Sequence, residues 1–102
     1  MISKRSLKTT QSVLKNMALR VRFLRLERAW SQQEVASRAA IRLATYQLFE
    51  RTGKISLERL YRIAVVFQRA TEIEELFKPL PVRSLEELIP KPQRQRGKSF
   101  KS

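Results

Sequence analysis

Cysteine, histidine and aspartate are absent from this chain of 102 residues. Without cysteine there is no disulfide framework and no thiol chemistry, and a reducing compartment is permitted. Because cysteine and histidine are both missing, we expect no transition-metal site and no cofactor. The chain also lacks a glycine-rich phosphate loop, so few groups remain that could serve as acid, base or nucleophile. We therefore expect no catalytic residues and a protein that is not an enzyme.

Long apolar runs are absent as well. No stretch approaches the roughly 18 apolar residues that a membrane-spanning helix needs. The first ten residues, MISKRSLKTT, lack the apolar core of a secretion signal. The length predicts one small domain with a modest core. We expect a cytoplasmic protein with no membrane partner.

Positive charge is abundant and unevenly distributed. The chain carries 22 Lys and Arg against 9 acidic residues, a formal net charge of +13. The net charge is +11 over residues 1–70, −3 over residues 71–90 and +5 over residues 91–102. Such a field favours a polyanionic partner, with nucleic acid as the first candidate. The alternative is a cationic surface that only keeps the protein soluble.

Residues 31–53, SQQEVASRAAIRLATYQLFERTG, predict two short helices joined by a tight bend. Ser31 and Glu34 fit a capping box, in which the serine caps a backbone N–H and the glutamate reaches back. The second helix begins near Leu43 and ends at Gly53. Helices this short bury little surface alone, so flanking helices must support them while one side of the second helix stays free. This plan is typical of a DNA-binding helix-turn-helix.

Apolar spacing predicts three flanking helices. The first covers residues 11–29, and its inward residues are Leu14, Met17, Val21 and Leu24. Ser56 caps a fourth helix, whose inward residues are Leu57, Leu60, Ile63, Ala64 and Phe67. Thr71 and Glu74 fit another capping box, which opens a short helix with inward residues Ile73, Leu76 and Phe77. Trp30 is expected to anchor the core.

A second apolar line on the first helix is turned partly away from the core. It consists of Leu19, Phe23 and Leu26. Two interpretations remain open: the fifth helix or the C-terminal segment covers it, or it is a protein contact surface.

The ends of the chain differ from its middle. We predict a disordered basic arm over residues 1–10, a DNA-binding domain over 11–78, an extension that docks a partner or a second copy over 79–90, and a disordered basic tail over 91–102. Within the extension, Ser84 and Glu87 fit a capping box that starts about one and a half helical turns. Its apolar residues must fold back onto the body or dock on another chain.

Residues 18–64 resemble the Cro/cI-type (XRE) helix-turn-helix domain of phage repressors. The matching residues are Val21, Leu24, Arg25, Ser31, Gln32, Glu34, Val35, Ala36, Ile41, Ala44, Thr45, Glu50, Arg51, Ser56 and Leu57. The resemblance implies an all-α, five-helix phage-repressor-like domain, here with a short C-terminal extension. Ala40 stands where the family usually has glycine. Since alanine resists positive φ, we expect the turn to be strained or built differently.

The resemblance also implies positions for DNA contact. Contacts to phosphate are expected from Gln32, Gln33, Arg42, Thr45, Arg51 and Lys54, and the groove-facing positions are Leu43, Ala44, Gln47 and Leu48. Gln47 is the clearest base reader, because its amide can pair with adenine through two hydrogen bonds. Leu43 and Leu48 offer no hydrogen bonds. Either specificity comes from thymine methyl contacts and DNA shape, or these leucines contact protein and base reading has been lost.

The resemblance further implies a structural ion pair and a dimer. Arg25 on the first helix pairs with Glu50 at the end of the recognition helix. Family members bind inverted-repeat operators as two-fold dimers. The dimer or partner candidates here are Phe67, Ile73, Leu76, Phe77, Leu80, Val82, Leu85 and Leu88.

A narrower resemblance is to HipB-like antitoxins, which are encoded beside HipA-type kinase toxins. It rests on the sequence of residues 45–58, followed by an apolar segment interrupted by prolines and by a basic tail. It implies a sequence-specific repressor of double-stranded DNA that autoregulates its operon as a homodimer and binds a HipA-like kinase toxin. The alternatives are a stand-alone phage or chromosomal repressor, and a protein-interaction module that no longer reads bases.

Overall fold

The computed structural model describes residues 8–80, which form five α-helices and no strand. The helices are α1 (Thr10–Glu27), α2 (Gln32–Ala39), α3 (Leu43–Thr52), α4 (Leu57–Val66) and α5 (Ala70–Glu74). The prediction of an all-helical fold with five helices is therefore confirmed. The predictions for most of the basic arm, for the basic tail, and for Val82, Leu85 and Leu88 fall outside the described residues.

Short polar side chains begin three of the helices. The Ser31 hydroxyl accepts a hydrogen bond from the Glu34 N–H over 3.0 Å, and Ser56 caps α4 in the same way. Thr9 and Ser12 cap each other reciprocally at the start of α1, so this helix begins slightly earlier than predicted. Each bond satisfies a backbone donor that would otherwise lack a partner in the first turn.

Two predicted capping boxes do not form as expected. The Glu34 carboxylate accepts a hydrogen bond from Arg38 instead of reaching back to Ser31, because the next turn of α2 offers a stronger, charged donor. At α5 the cap position is Arg69, which gives no side-chain cap bond. The Glu74 carboxylate accepts instead from the Tyr61 hydroxyl on α4. A tertiary contact has therefore displaced the predicted box at Thr71.

The bend between α2 and α3 is closed by Ala40 in the left-handed conformation, with φ 58° and ψ 44°. The Ile41 N–H donates to the Ala36 carbonyl over 3.0 Å, and the Ala40 N–H donates to the Ser37 carbonyl over 3.1 Å. This is the Schellman arrangement, which normally uses glycine. The predicted strain at Ala40 is therefore present, while the geometry of the turn is the ordinary one.

Gly53 ends α3 and fixes its distance from α1. Its φ of 85° is a left-handed value that favours glycine. A Cβ at this position would lie 2.5 Å from the carbonyl carbon and oxygen of Leu14. Only glycine allows the two backbones to approach this closely.

The core lies where α1, α2, α3 and α4 meet. Its buried apolar residues are Ala18, Val35, Ala36, Ala39, Tyr46, Phe49, Ile63 and Phe67. Helix α1 packs on α3, α2 packs on both α3 and α4, and α5 contacts α4. Trp30 packs on Phe67 with ring centroids 5.7 Å apart, as expected of a core anchor.

Three residues predicted to face inward are exposed, and one predicted dimer residue is buried in the core. Leu57 is exposed because it is the first residue of α4, and the inward stripe starts only at Leu60. Leu76 and Phe77 are exposed because α5 ends at Glu74, before it can turn them inward. Phe67 is only 2% exposed, so its side chain belongs to the core and is not available for a dimer contact.

Candidate nucleic-acid interface

A buried ion pair joins α1 to the end of α3. Arg25 Nε lies 2.7 Å from Glu50 Oε2, and Arg25 Nη2 lies 3.0 Å from Glu50 Oε1. The two residues are 9% and 7% exposed. The remaining Arg25 Nη1 donates to the Trp30 carbonyl over 3.0 Å. The predicted pair is therefore present, in the two-pronged geometry that gives arginine–carboxylate bonds their strength.

Two further donors complete the shell of Glu50. The Tyr46 hydroxyl donates to Oε2 over 2.5 Å, and Gln32 Nε2 donates to Oε1 over 2.9 Å. With the two bonds from Arg25, the carboxylate accepts four hydrogen bonds, which is about its full capacity. Sequence reasoning found Arg25 but missed Tyr46 and Gln32 as partners, because their distances from Glu50 are set by packing.

The hydrogen bonds decide the ionisation of this cluster. Burial by itself opposes the charge on Glu50, but the bonds from Arg25, Tyr46 and Gln32 outweigh it and hold the pKa of Glu50 below its ordinary value. The hydrogen bond to Glu50 raises the pKa of Arg25. Burial, together with the bond to the Glu50 carboxylate, raises the pKa of Tyr46. The cluster is therefore a fixed carboxylate, guanidinium and neutral phenol near neutral pH.

Glu50 also orients an exposed amide on α3. A carboxylate can only accept, so Gln32 must turn its NH₂ group toward Glu50 and its oxygen outward. Gln47 Nε2 then donates to Gln32 Oε1 over 3.3 Å. Among residues 8–80, the Gln47 side-chain oxygen and its second amide hydrogen have no partner. Those are the two groups with which a glutamine pairs with the edge of adenine.

The exposed side of α3 carries Ala44, Gln47, Leu48 and Arg51, which we call the α3 outer face. Leu43 and Thr45 are half-buried, and Leu43 packs partly against the core. Leu48 is therefore the more accessible of the two leucines. Gln33, Arg42 and Lys54 are exposed as well, so most side chains predicted to contact DNA are accessible.

Arginines lie on both sides of the α3 outer face. On one side an open cleft is lined by Arg22, Arg25, Gln32, Gln47, Glu50 and Arg51. On the other side a polar hollow is lined by Ala40, Ile41, Arg42, Thr45, Arg59 and Arg62. Sequence reasoning missed Arg22, Arg59 and Arg62. Arg22 had a signal in the sequence, since it precedes Arg25 by about one helical turn. The position of Arg59 and Arg62 beside the α2–α3 bend follows from packing.

The first turn of α3 adds backbone N–H donors on the side of the polar hollow lined by Arg42, Arg59 and Arg62. Arg42 precedes the helix and gives no side-chain cap bond. The N–H groups of the first turn therefore lack a side-chain acceptor within residues 8–80, and they lie beside the arginine-lined hollow. Such a helix start favours an anionic oxygen.

No helix in the described part of the chain combines the length and apolar character needed to cross a membrane. The comparisons with known proteins give no family model, no curated protein and no solved structure that matches the chain.

Proposed function

We propose that this chain is a sequence-specific double-stranded DNA-binding repressor, in which α2, the Ala40 bend and α3 form a helix-turn-helix of the Cro/cI type. The observation that carries the proposal is the Glu50–Gln32–Gln47 chain of hydrogen bonds. In this arrangement, one member of a buried charge cluster orients the exposed amide of Gln47 through Gln32. Packing of α3 in the core does not require that orientation.

In this mechanism α3 lies in the major groove with its outer face toward the base pairs. Gln47 reads adenine, and Leu48 contacts a thymine methyl group. Arg22, Arg51 and Lys54 neutralise phosphates on one side of the groove, while Arg42, Arg59 and the first turn of α3 bind phosphates on the other. The phosphate contacts supply affinity and register, and the outer face supplies the choice of sequence.

Repression follows from occupancy of an inverted-repeat operator by a homodimer in the cytoplasm. The residues after α4 offer apolar contacts for such a dimer, since Leu76, Phe77 and Leu80 are exposed. Within this proposal we favour the HipB-like antitoxin, which also binds a HipA-like kinase toxin. The sequence resemblance supports that choice, and a stand-alone repressor is the alternative.

Salt dependence separates this proposal from a protein-interaction module. Duplexes are first selected from a random pool with the full chain, and binding is then measured at several salt concentrations. Counterion release predicts that log K falls with log salt at a slope of about −0.9 for each phosphate contacted. Arg59→Ala should make the slope shallower by about one such contact, whereas Lys78→Ala, which removes an exposed cation beyond α5, should leave it unchanged. A chain that selects no duplex, or binds with no salt dependence, would refute DNA binding.

A further inference from the structure

An apolar line on α1 is not covered by any described residue. Leu19, Phe23 and Leu26, which we call the α1 stripe, are 45%, 62% and 53% exposed. Leu19 and Phe23 also line a shallow groove together with Arg20, Leu24 and Arg69, the residue just before α5. Helix α5 therefore borders the stripe without covering it. Three large apolar side chains in a row on one helix are more than isolated surface residues, and they mark a contact surface.

The margins of the α1 stripe are mainly cationic. At about 100° per residue, Lys15 and Arg22 fall on one margin, and Arg20 and Glu27 fall on the other. Lys15, Arg20 and Arg22 form no ion pair within the described part of the chain. The surface therefore fits an occupant that is apolar in the middle and acidic at its edge. A second copy docking through the same stripe would place these cations against one another.

The chain itself contains one segment with that chemistry. All nine acidic residues are glutamates. Among the described residues, Glu34, Glu50, Glu58, Glu72 and Glu75 form ion pairs, and Glu74 accepts from Tyr61. Apart from Glu27 on the stripe margin, the remaining two are Glu86 and Glu87, in the sequence VRSLEELI. On the predicted helical turns, Leu85, Leu88 and Ile89 are spaced so that they share one face.

We propose that residues 82–89 dock on the α1 stripe of the same chain, with the leucines and Ile89 on Leu19, Phe23 and Leu26, and with Glu86 beside Arg20. The tether is long enough. The groove begins at Arg69, and α5 adds only about 7.5 Å of helix beyond it. Residues 75–81, which join α5 to the docking segment, can reach up to about 23 Å when extended. Because the two surfaces are held on one chain, docking has a high effective concentration.

The proposal does not depend on DNA binding. It assigns residues 82–89 to the body of their own chain, so the dimer contact would have to come from the exposed residues that precede this segment, such as Phe77 and Leu80. With this docking, α1 is covered by α3 on one side and by residues 82–89 on another.

Paramagnetic labelling of the full chain tests the docking. Because the chain has no cysteine, Lys91→Cys provides one attachment site for a spin label directly after the segment. We expect the amide signals of Leu19, Phe23 and Leu26 to lose most of their intensity relative to the reduced label. The signals of α2, which packs on α3 and α4 and does not line the groove, should lose much less. A label at Ser102→Cys is the matched control and should attenuate the α1 stripe much less.

A variant and a mixing experiment make the outcome decisive. Leu88→Asp in the labelled chain should restore the α1 signals while the signals of Tyr46 and Phe49 stay in place, because the buried core of the described residues is formed between Ala18 and Phe67. Attenuation that appears only when ¹⁵N chains are mixed with spin-labelled ¹⁴N chains would assign the stripe to a second copy and overturn the proposal. Attenuation that is absent, or that Leu88→Asp does not reverse, would overturn it as well.

Discussion

Arg25→Ala should be among the most destabilising substitutions in this chain. It removes both hydrogen bonds from the guanidinium to Glu50 and leaves a carboxylate that is 7% exposed without its cation. Breaking a buried pair from one side costs about 3–5 kcal/mol. Small domains are stable by only about 5–15 kcal/mol, so the loss is a large share of the total. At about 4–8 °C per kcal/mol, the melting temperature should fall by more than 10 °C.

The same substitution has a pH signature that a simple packing defect lacks. In the native chain the pKa of Glu50 is lowered by its partners, so its contribution is present above the unfolded pKa and is lost as pH falls through the folded value. Without Arg25, only the hydrogen bonds from Tyr46 and Gln32 offset burial, so the charge on Glu50 is less favoured than in the native chain. Protonation of Glu50 at acid pH then removes this destabilisation from the variant. The difference in unfolding free energy between native and variant chains should therefore shrink below about pH 4.

Urea unfolding followed by circular dichroism measures both effects. Lys78→Ala is the matched control, because it removes a cation from an exposed pair, in which Lys78 Nζ lies 3.7 Å from Glu75 Oε2. An exposed pair contributes about 0–1 kcal/mol. A buried, charge-paired Glu50 is contradicted if Arg25→Ala costs no more than Lys78→Ala at pH 7, or if the cost of Arg25→Ala does not change between pH 7 and pH 3.

Three other substitutions test the bends and the orientation of the exposed amide. Gly53→Ala should lose several kcal/mol or fail to fold, since its Cβ would meet the Leu14 carbonyl at 2.5 Å and its φ is left-handed; native-like melting would contradict this. Ala40→Gly should stabilise the chain by about 1 kcal/mol, because it removes the left-handed strain of an alanine; an unchanged urea midpoint would show that no strain is stored there. If the proposed function holds, Gln32→Ala should reduce the preference for selected over scrambled duplexes by releasing Gln47. Competition binding measures this preference, and an unchanged value would contradict the orienting role of Gln32.

The local features of this fold could be predicted from the sequence, because they depend on residues close together in the chain. Ser31 and Ser56 begin helices, and Gly53 ends one, through bonds that span at most four residues. The Arg25–Glu50 pair came from the family resemblance. What could not be predicted depends on how the helices pack, such as the bonds from Tyr46 and Gln32 to Glu50.

The errors at Leu76 and Phe77 have one physical cause. Apolar spacing predicts an inward face only when a helix is long enough to present it, and α5 has five residues. Leu76 and Phe77 follow the spacing and are nevertheless exposed, with Phe77 at 98%. In the candidate interface, the arginines of α4 were missed because their position beside the α2–α3 bend follows from the packing of α2 on α4.

Sequence recognition by the α3 outer face is measured by the ratio of dissociation constants for scrambled and selected duplexes at one fixed salt concentration. Specific binders of this kind are expected to show a ratio of about 10³ or more. Gln47→Ala should lower that ratio about tenfold or more, since a two-bond contact to a base contributes about 1–3 kcal/mol of discrimination, while binding to scrambled duplex stays nearly constant. A ratio near one for the native chain, or an equal loss on both duplexes in Gln47→Ala, would contradict the claim that the α3 outer face reads sequence.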